Sequence, residues 1–203
     1  MKHLLAIAIL FVVLVSTEAQ YSDQVLKAFE QSYSLEKAGD FEQSAAVLQN
    51  IYQRDSYEFN LRLGWLYFNE GCFEDSKTHY KRALALMPYS EEARFGIVLP
   101  MAANGEWDEI IKIYSQILEN SPGNTVALYR LGSIHYERKN WTQAARHFQK
   151  VVDLYPFHYD GLIMMAWTSL QLGKNREARV LFNKVLLWSP NDASAREGLK
   201  LLD

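Results

Sequence analysis

The sequence predicts an all-α chain built as a stack of repeated helical hairpins, and three observations predict it. Four of the five prolines stand at Pro88, Pro122, Pro156 and Pro190, each 34 residues after the last. Proline lacks an N–H and its ring clashes with the preceding turn, so each closes a helical unit. Other residues keep the same beat. Tyr80, Tyr114, Phe148 and Phe182 lie eight before each proline, and Ser76, Ile110, Ala144 and Ala178 twelve before. Finally, Gly71, Gly105, Lys139 and Gly173 lie seventeen before, where a left-handed backbone ends a helix and lets the chain turn. A period of this length marks stacked helix–turn–helix units.

The elements follow in order. First helices are predicted near 23–38, 57–70, 91–103, 125–138 and 159–172, and their partners near 42–54, 74–87, 108–120, 142–154 and 176–188. Asp23, Asn124 and Asp192 are placed as N-caps, their oxygens accepting orphan N–H groups. A last helix, about 192–201, sets Ala195, Leu199 and Leu202 on one face and covers the open end of the fifth pair. Pro100 falls inside the first helix of the third unit. There it removes a hydrogen bond to Gly96, so a kink is expected at the middle of the array, either as a hinge or widened groove or as a bend without a role.

The unit 125–158, with Leu131-Gly132, Ala144, Phe148 and Pro156, closely resembles the tetratricopeptide repeat. The unit 57–90 carries the same resemblance through Leu63-Gly64, Tyr67, Tyr80, Ala83 and Pro88. The unit 159–192 does so through Gly173, Ala178, Phe182 and Pro190. The unit 91–124 keeps Gly105, Tyr114 and Pro122 but loses the small residues. An earlier unit, about 25–56, keeps Gly39, Phe41 and Leu48 and ends in Ser56. The resemblance implies a right-handed α-solenoid of five such units plus the capping helix, over residues 20–203.

Composition bounds the function. Hydrophobic residues make up 49% and charged residues 22%, an ordinary folded balance, so one elongated domain is expected. The net charge is −3 with no basic stripe, which argues against nucleic acid as partner. The start pairs Lys2 with an apolar run from Leu4 to Val15 and small residues at Thr17 and Ala19. That is the pattern of a secretory signal cleaved after Ala19, with an uncleaved anchor as the alternative, giving an exported protein, periplasmic or extracellular. The run has 12 residues, short of the ~20 of a membrane span, so no span is expected in the mature chain.

The sequence contains no pattern for catalysis, metal or cofactor, and the expected protein is not an enzyme. His79, His135, His147 and His158 show no metal-ligand spacing with one another, with Cys or with carboxylates, and are read as solvated or core-edge side chains. Cys72, the single cysteine, follows Gly71 in a turn. It is either a reactive thiol, open to an intermolecular disulfide, or an idle turn residue. Asn140-Trp141-Thr142 fits the N-glycosylation pattern in a eukaryotic secretory setting.

The first helices carry the candidate site. In a stack of this family they line the concave surface. Residues 27, 23 and 20 before each proline share one helical face. They are Leu61, Trp65 and Phe68; Phe95, Leu99 and Ala102; Tyr129, Ser133 and Tyr136; and Ile163, Trp167 and Leu170, with Phe29, Tyr33 and Glu36 in the first unit. Trp65 and Trp167 are the expected hot spots, because the middle place is more often polar in the family. Members that grip a C-terminal carboxylate carry Asn there, so Tyr33, Trp65, Leu99, Ser133 and Trp167 argue against that clamp, although Arg62 and Arg130 are left to meet an acidic group at the rim. The expected function is a scaffold whose groove holds an apolar-aromatic segment of a partner protein. The alternative is a module stacking the same aromatics on sugars or lipid chains, and self-association stays open.

Overall fold

The computed structural model describes residues 21–203; the predicted signal segment and its cleavage point lie outside the described residues. The described chain forms eleven helices and no strand. They are α1 (Asp23–Lys37), α2 (Phe41–Gln49), α3 (Tyr57–Glu70), α4 (Phe73–Leu86), α5 (Glu91–Ala103), α6 (Trp107–Asn120), α7 (Thr125–Glu137), α8 (Trp141–Leu154), α9 (Tyr159–Gln171), α10 (Asn175–Trp188) and α11 (Ala193–Lys200). The chain divides into two compact units, one ending at Ile51 and the other running from Tyr52 to Asp203.

In the first unit α1 and α2 form a hairpin. Its helices are joined where Ser32 and Ser44 share a buried hydrogen bond of 2.8 Å and Ser44 Oγ donates to the Ser32 carbonyl. Ser22, not Asp23, caps α1: its hydroxyl accepts the Val25 N–H, and Asp23 becomes the first helical residue. There its carboxylate meets the positive end of the helix dipole.

The second unit is an α-solenoid of hairpins. The first-helix N-caps repeat with the period: Ser56, Ser90, Asn124, His158 and Asp192 each accept the N–H three residues on. The predicted helix near 42–54 ends early, at Gln49. Beyond it, Tyr52 is drawn into the second unit. Its hydroxyl donates to Asn60 Oδ1 at 2.8 Å and accepts from Arg82 at 3.1 Å, a role that a residue in the helix could not fill. Pro100 is buried and α5 runs through it to Ala103, so the helix does not end there.

Each hairpin turns at a left-handed residue. Gly71, Gly105 and Gly173 have φ of +88°, +72° and +71°, and Lys139 adopts +59° at the same place in its unit. The aromatic eight before each proline is a wedge between units. Tyr80 occupies the space where a Cβ on Gly96 would come within 2.2 Å of its ring, and Phe182 stands within 2.1 Å of the Cβ position of Gly198. Gly64 and Gly132 face the aromatic of their own unit, whereas Gly96 makes room for the aromatic of the preceding one. Helix α11 receives Phe182 as α5 receives Tyr80, so it packs in the manner of a first helix.

The core lies along the stack, in two buried clusters. One is centred on Tyr80, Ile97, Ile110, Ile117 and Leu131, the other on Phe148, Leu162, Ala166, Phe182 and Ala195.

An apolar strip on the first helices

Among the described residues of the second unit, two middle positions of the first helices are the accessible ones on this face. Trp65 on α3 and Leu99 on α5 hold the same place in consecutive units and are each 37% exposed. Helices α3 and α5 pack together, so both side chains lie on the same first-helix face. Its rings are fixed from behind. Trp65 lies 6.1 Å from Phe68, which lies 6.0 Å from Phe73 at the start of α4. Leu61, Phe68 and Phe95 are half-buried, and Phe95 leans on Tyr114 with centroids 6.1 Å apart.

Further along, the strip closes. Tyr129 packs on Phe148 at 5.7 Å and Tyr136 meets Trp141 edge-on at 4.8 Å. Trp167 is half-buried: its ring stands edge-on to Phe182 at 5.2 Å and its indole N–H donates to Ser194 on α11 at 2.8 Å. Helix α11 thus anchors this tryptophan, which sequence spacing cannot show because Ser194 lies 27 residues away. In the first unit Tyr33 is 55% exposed and Phe29 half-buried.

Two other expectations change. Arg62 is buried, so it is not available at a rim, whereas Arg130 is exposed. The histidines are not all solitary, since His135 and His147 face one another with ring centroids 5.6 Å apart. They are twelve residues apart, the same interval that joins Ser32 to Ser44 and Ser76 to the Gly64 carbonyl. That interval in the sequence would have revealed the pair. Among the described residues no three metal-ligating side chains gather, and no helix is long and apolar enough to cross a membrane. Cys72 is partly exposed at the N-cap of α4, and its side chain makes no capping bond.

Sequence reasoning also missed a second apolar surface, at the ends of the second helices and in the loops that follow them. Tyr89 and Leu187 are each 76% exposed, and Phe157 and Trp188 meet edge-on at 5.3 Å. The signal was present: Leu86, Leu154 and Trp188 all stand two residues before a repeat proline.

Comparison with known proteins follows the period. Tetratricopeptide-repeat profiles match residues 57–90, 101–159 and 136–201. The chain belongs to the tetratricopeptide-repeat family. Proteins of this family are generally scaffolds for protein–protein interaction. The fold is shared with a tetratricopeptide repeat protein from Parabacteroides merdae, at a TM-score of 0.75 and 20% identity over 89% of this chain and 73% of that one. It is shared as well with MamA from Desulfovibrio magneticus RS-1, at 0.71 and 17% over 85% and 98%. In sequence, the chain is 29% identical over 94 residues to the human protein O-mannosyl-transferase TMTC1, covering 46% of this chain and 11% of that protein. It is 26% identical over 146 residues to the type IV pilus assembly protein PilF of Pseudomonas aeruginosa, covering 70% and 56%. The chain thus spans between a tenth and little more than half of these relatives.

Proposed function

We propose that this tetratricopeptide-repeat chain is a non-enzymatic scaffold that works outside the cytoplasm and holds an apolar-aromatic segment of a partner protein on its first-helix face. One observation carries the binding face: Trp65 and Leu99 expose apolar surface at equivalent places on two packed first helices, with Trp65 set against Phe68. A preset aromatic surface loses little conformational freedom on binding, so burial there converts well into affinity. Location rests on the signal-like start, Lys2 followed by the apolar run Leu4–Val15. The partial likeness to PilF agrees with work at the cell envelope, and that to TMTC1 is confined to a short stretch of a much longer protein.

The test is selection of peptides from a displayed library against the full chain, with affinities measured for the winners. Apolar-aromatic peptides should be enriched, and Trp65→Ala should weaken them ~30-fold, about 2 kcal/mol. Trp167→Ala should cost less, because its indole is already engaged by Ser194. Peptides unaffected by both Trp65→Ala and Leu99→Ala, or capture of glycans with no peptide, would overturn the assignment.

A further inference from the structure

Three of the four histidines in the described chain gather around one hairpin, and the proposed function uses none of them. His135 on α7 and His147 on α8 face each other with ring planes within 2° of parallel. Both Nδ1 atoms are enclosed and meet no hydrogen-bond partner. His158 follows directly on the hairpin and caps α9, its Nδ1 accepting the Gly161 N–H at 3.1 Å. An imidazole protonated on both nitrogens has no acceptor left, so this cap requires a neutral ring.

The surroundings offer the pair no countercharge. The charges acting on it are Arg138 at the end of α7 and Arg146 and Lys150 on α8, all positive. Helix α6 brings Asp108, Glu109 and Lys112 to its start, where Asp108 is taken by Arg138 at 2.7 Å and Glu109 by Lys112 at 2.7 Å. Helix α9 carries Tyr159 and Asp160 in its first turn, with the Tyr159 hydroxyl bonded to Asp192. Burial first, then His135 and the neighbouring cations, push His147 down to about 4, and burial lowers His135 as well.

This junction also lacks one hydrogen bond that the others have. Tyr57 shares a hydrogen bond with Ser90 at 2.7 Å, Asn124 donates to Glu91 at 2.8 Å, and Tyr159 donates to Asp192 at 2.7 Å. Each bond joins the starts of successive first helices. The corresponding place between Thr125 and His158 has no such bond among the described residues.

We propose that the hairpin of α7 and α8 is an acid-sensitive joint, opening ahead of the rest of the solenoid when its facing histidines, His135 and His147, take up protons. The folded hairpin holds the pair neutral, whereas the opened chain protonates in the ordinary histidine range. Stability is therefore full above about pH 6.5 and lost as the pH falls towards 4. At pH 5 a ring held near 4 costs the hairpin up to ~30-fold in its closing equilibrium, reduced to ~10-fold for a half-exposed ring.

Hydrogen exchange of the full chain, corrected for intrinsic rates, tests this at pH 7.5 and pH 5. Protection across 125–171 should fall at least ~10-fold through His147, with His135 adding in the same direction, and by more than across 57–86, where His79 alone responds. The double variant His135→Met, His147→Leu takes the residues found at these places in the third and fifth units, Met101 and Leu181. It should abolish most of the loss in 125–171 and leave that in 57–86. Equal losses in both segments, or an unchanged loss in the variant, would overturn the proposal. Should the variant not fold, ring NMR titration of the unaltered chain decides: depressed, stepwise titration of His135 and His147 supports the joint, and two independent ordinary titrations refute it.

Discussion

The hairpin of α3 and α4 and the hairpin of α7 and α8 share a plan and differ in what fills it. Both carry Leu-Gly on the first helix and an aromatic wedge on the second, Tyr80 in one and Phe148 in the other. The earlier hairpin buries Asn60, Arg62, Ser76, Lys77 and His79; among the described residues the later one buries no polar side chain to that degree. Asn60 is the hub of the first. It donates to the carbonyls of Arg54 and Ser56 and accepts from Tyr52 and His79. Lys77 Nζ donates to Glu106 and Glu74, and those hydrogen bonds raise its basicity. The place of Asn60 is taken by Leu128 in the later hairpin, and its pair of rings is His135 and His147 where the earlier one sets Tyr67 against His79. One repeat is specified by satisfied polar bonds, the other by apolar shape, although the backbone period is the same.

The largest test of that contrast is Phe148→Ala. Phe148 is fully buried, and a cavity at the wedge should cost about 3–5 kcal/mol in urea unfolding. A cost below about 1 kcal/mol would mean that apolar shape does not hold the later hairpin. Next is Asn60→Leu, which copies Leu128. It takes the acceptor from the Tyr52 hydroxyl and from His79 Nδ1 and the side-chain donor from the Arg54 carbonyl, while the Ser56 carbonyl keeps the backbone N–H of residue 60, and it should cost about 2–3 kcal/mol despite the gain in apolar surface. A neutral outcome would reduce the polar hub to decoration.

A third effect is pH-dependent. Burial pushes His79 down to about 4, with Arg82 adding to the shift. Its proton is favoured in the unfolded chain, so its contribution is present above about pH 6.5 and disappears as pH falls to 4, on the order of 2 kcal/mol. When it does protonate, the Nδ1–H bond to Asn60 survives, since both nitrogens are then donors. Unfolding of His79→Leu between pH 7 and pH 4.5 should show a shallower decline than the parent; an identical slope would assign the acid sensitivity elsewhere. The smallest effect concerns the turns. Lys139 holds a left-handed backbone that Gly71 holds in the earlier hairpin. Lys139→Gly should stabilise by about 1 kcal/mol and Gly71→Ala destabilise by a similar amount, read as opposite shifts in Tm.

Much of this was legible in the residues themselves. The four prolines, the glycines after the first helices and the aromatic wedges set the period, because each acts through its own backbone or bulk at a fixed distance along the chain. The caps at Asn124 and Asp192 were legible for the same reason, while Ser22 displaced Asp23 because two capping residues stood side by side. Of the candidate strip, the helix spacing placed Trp65 and Trp167 on one face but could not tell them apart. Only tertiary structure left Trp65 accessible, hung Trp167 on Ser194, sank Arg62 and set His135 against His147. Those outcomes depend on which side chain arrives from another helix, and on whether a polar atom finds a partner there. A periodic sequence fixes where neighbours meet; the packing of unlike neighbours decides which surfaces stay open and which groups are held uncharged.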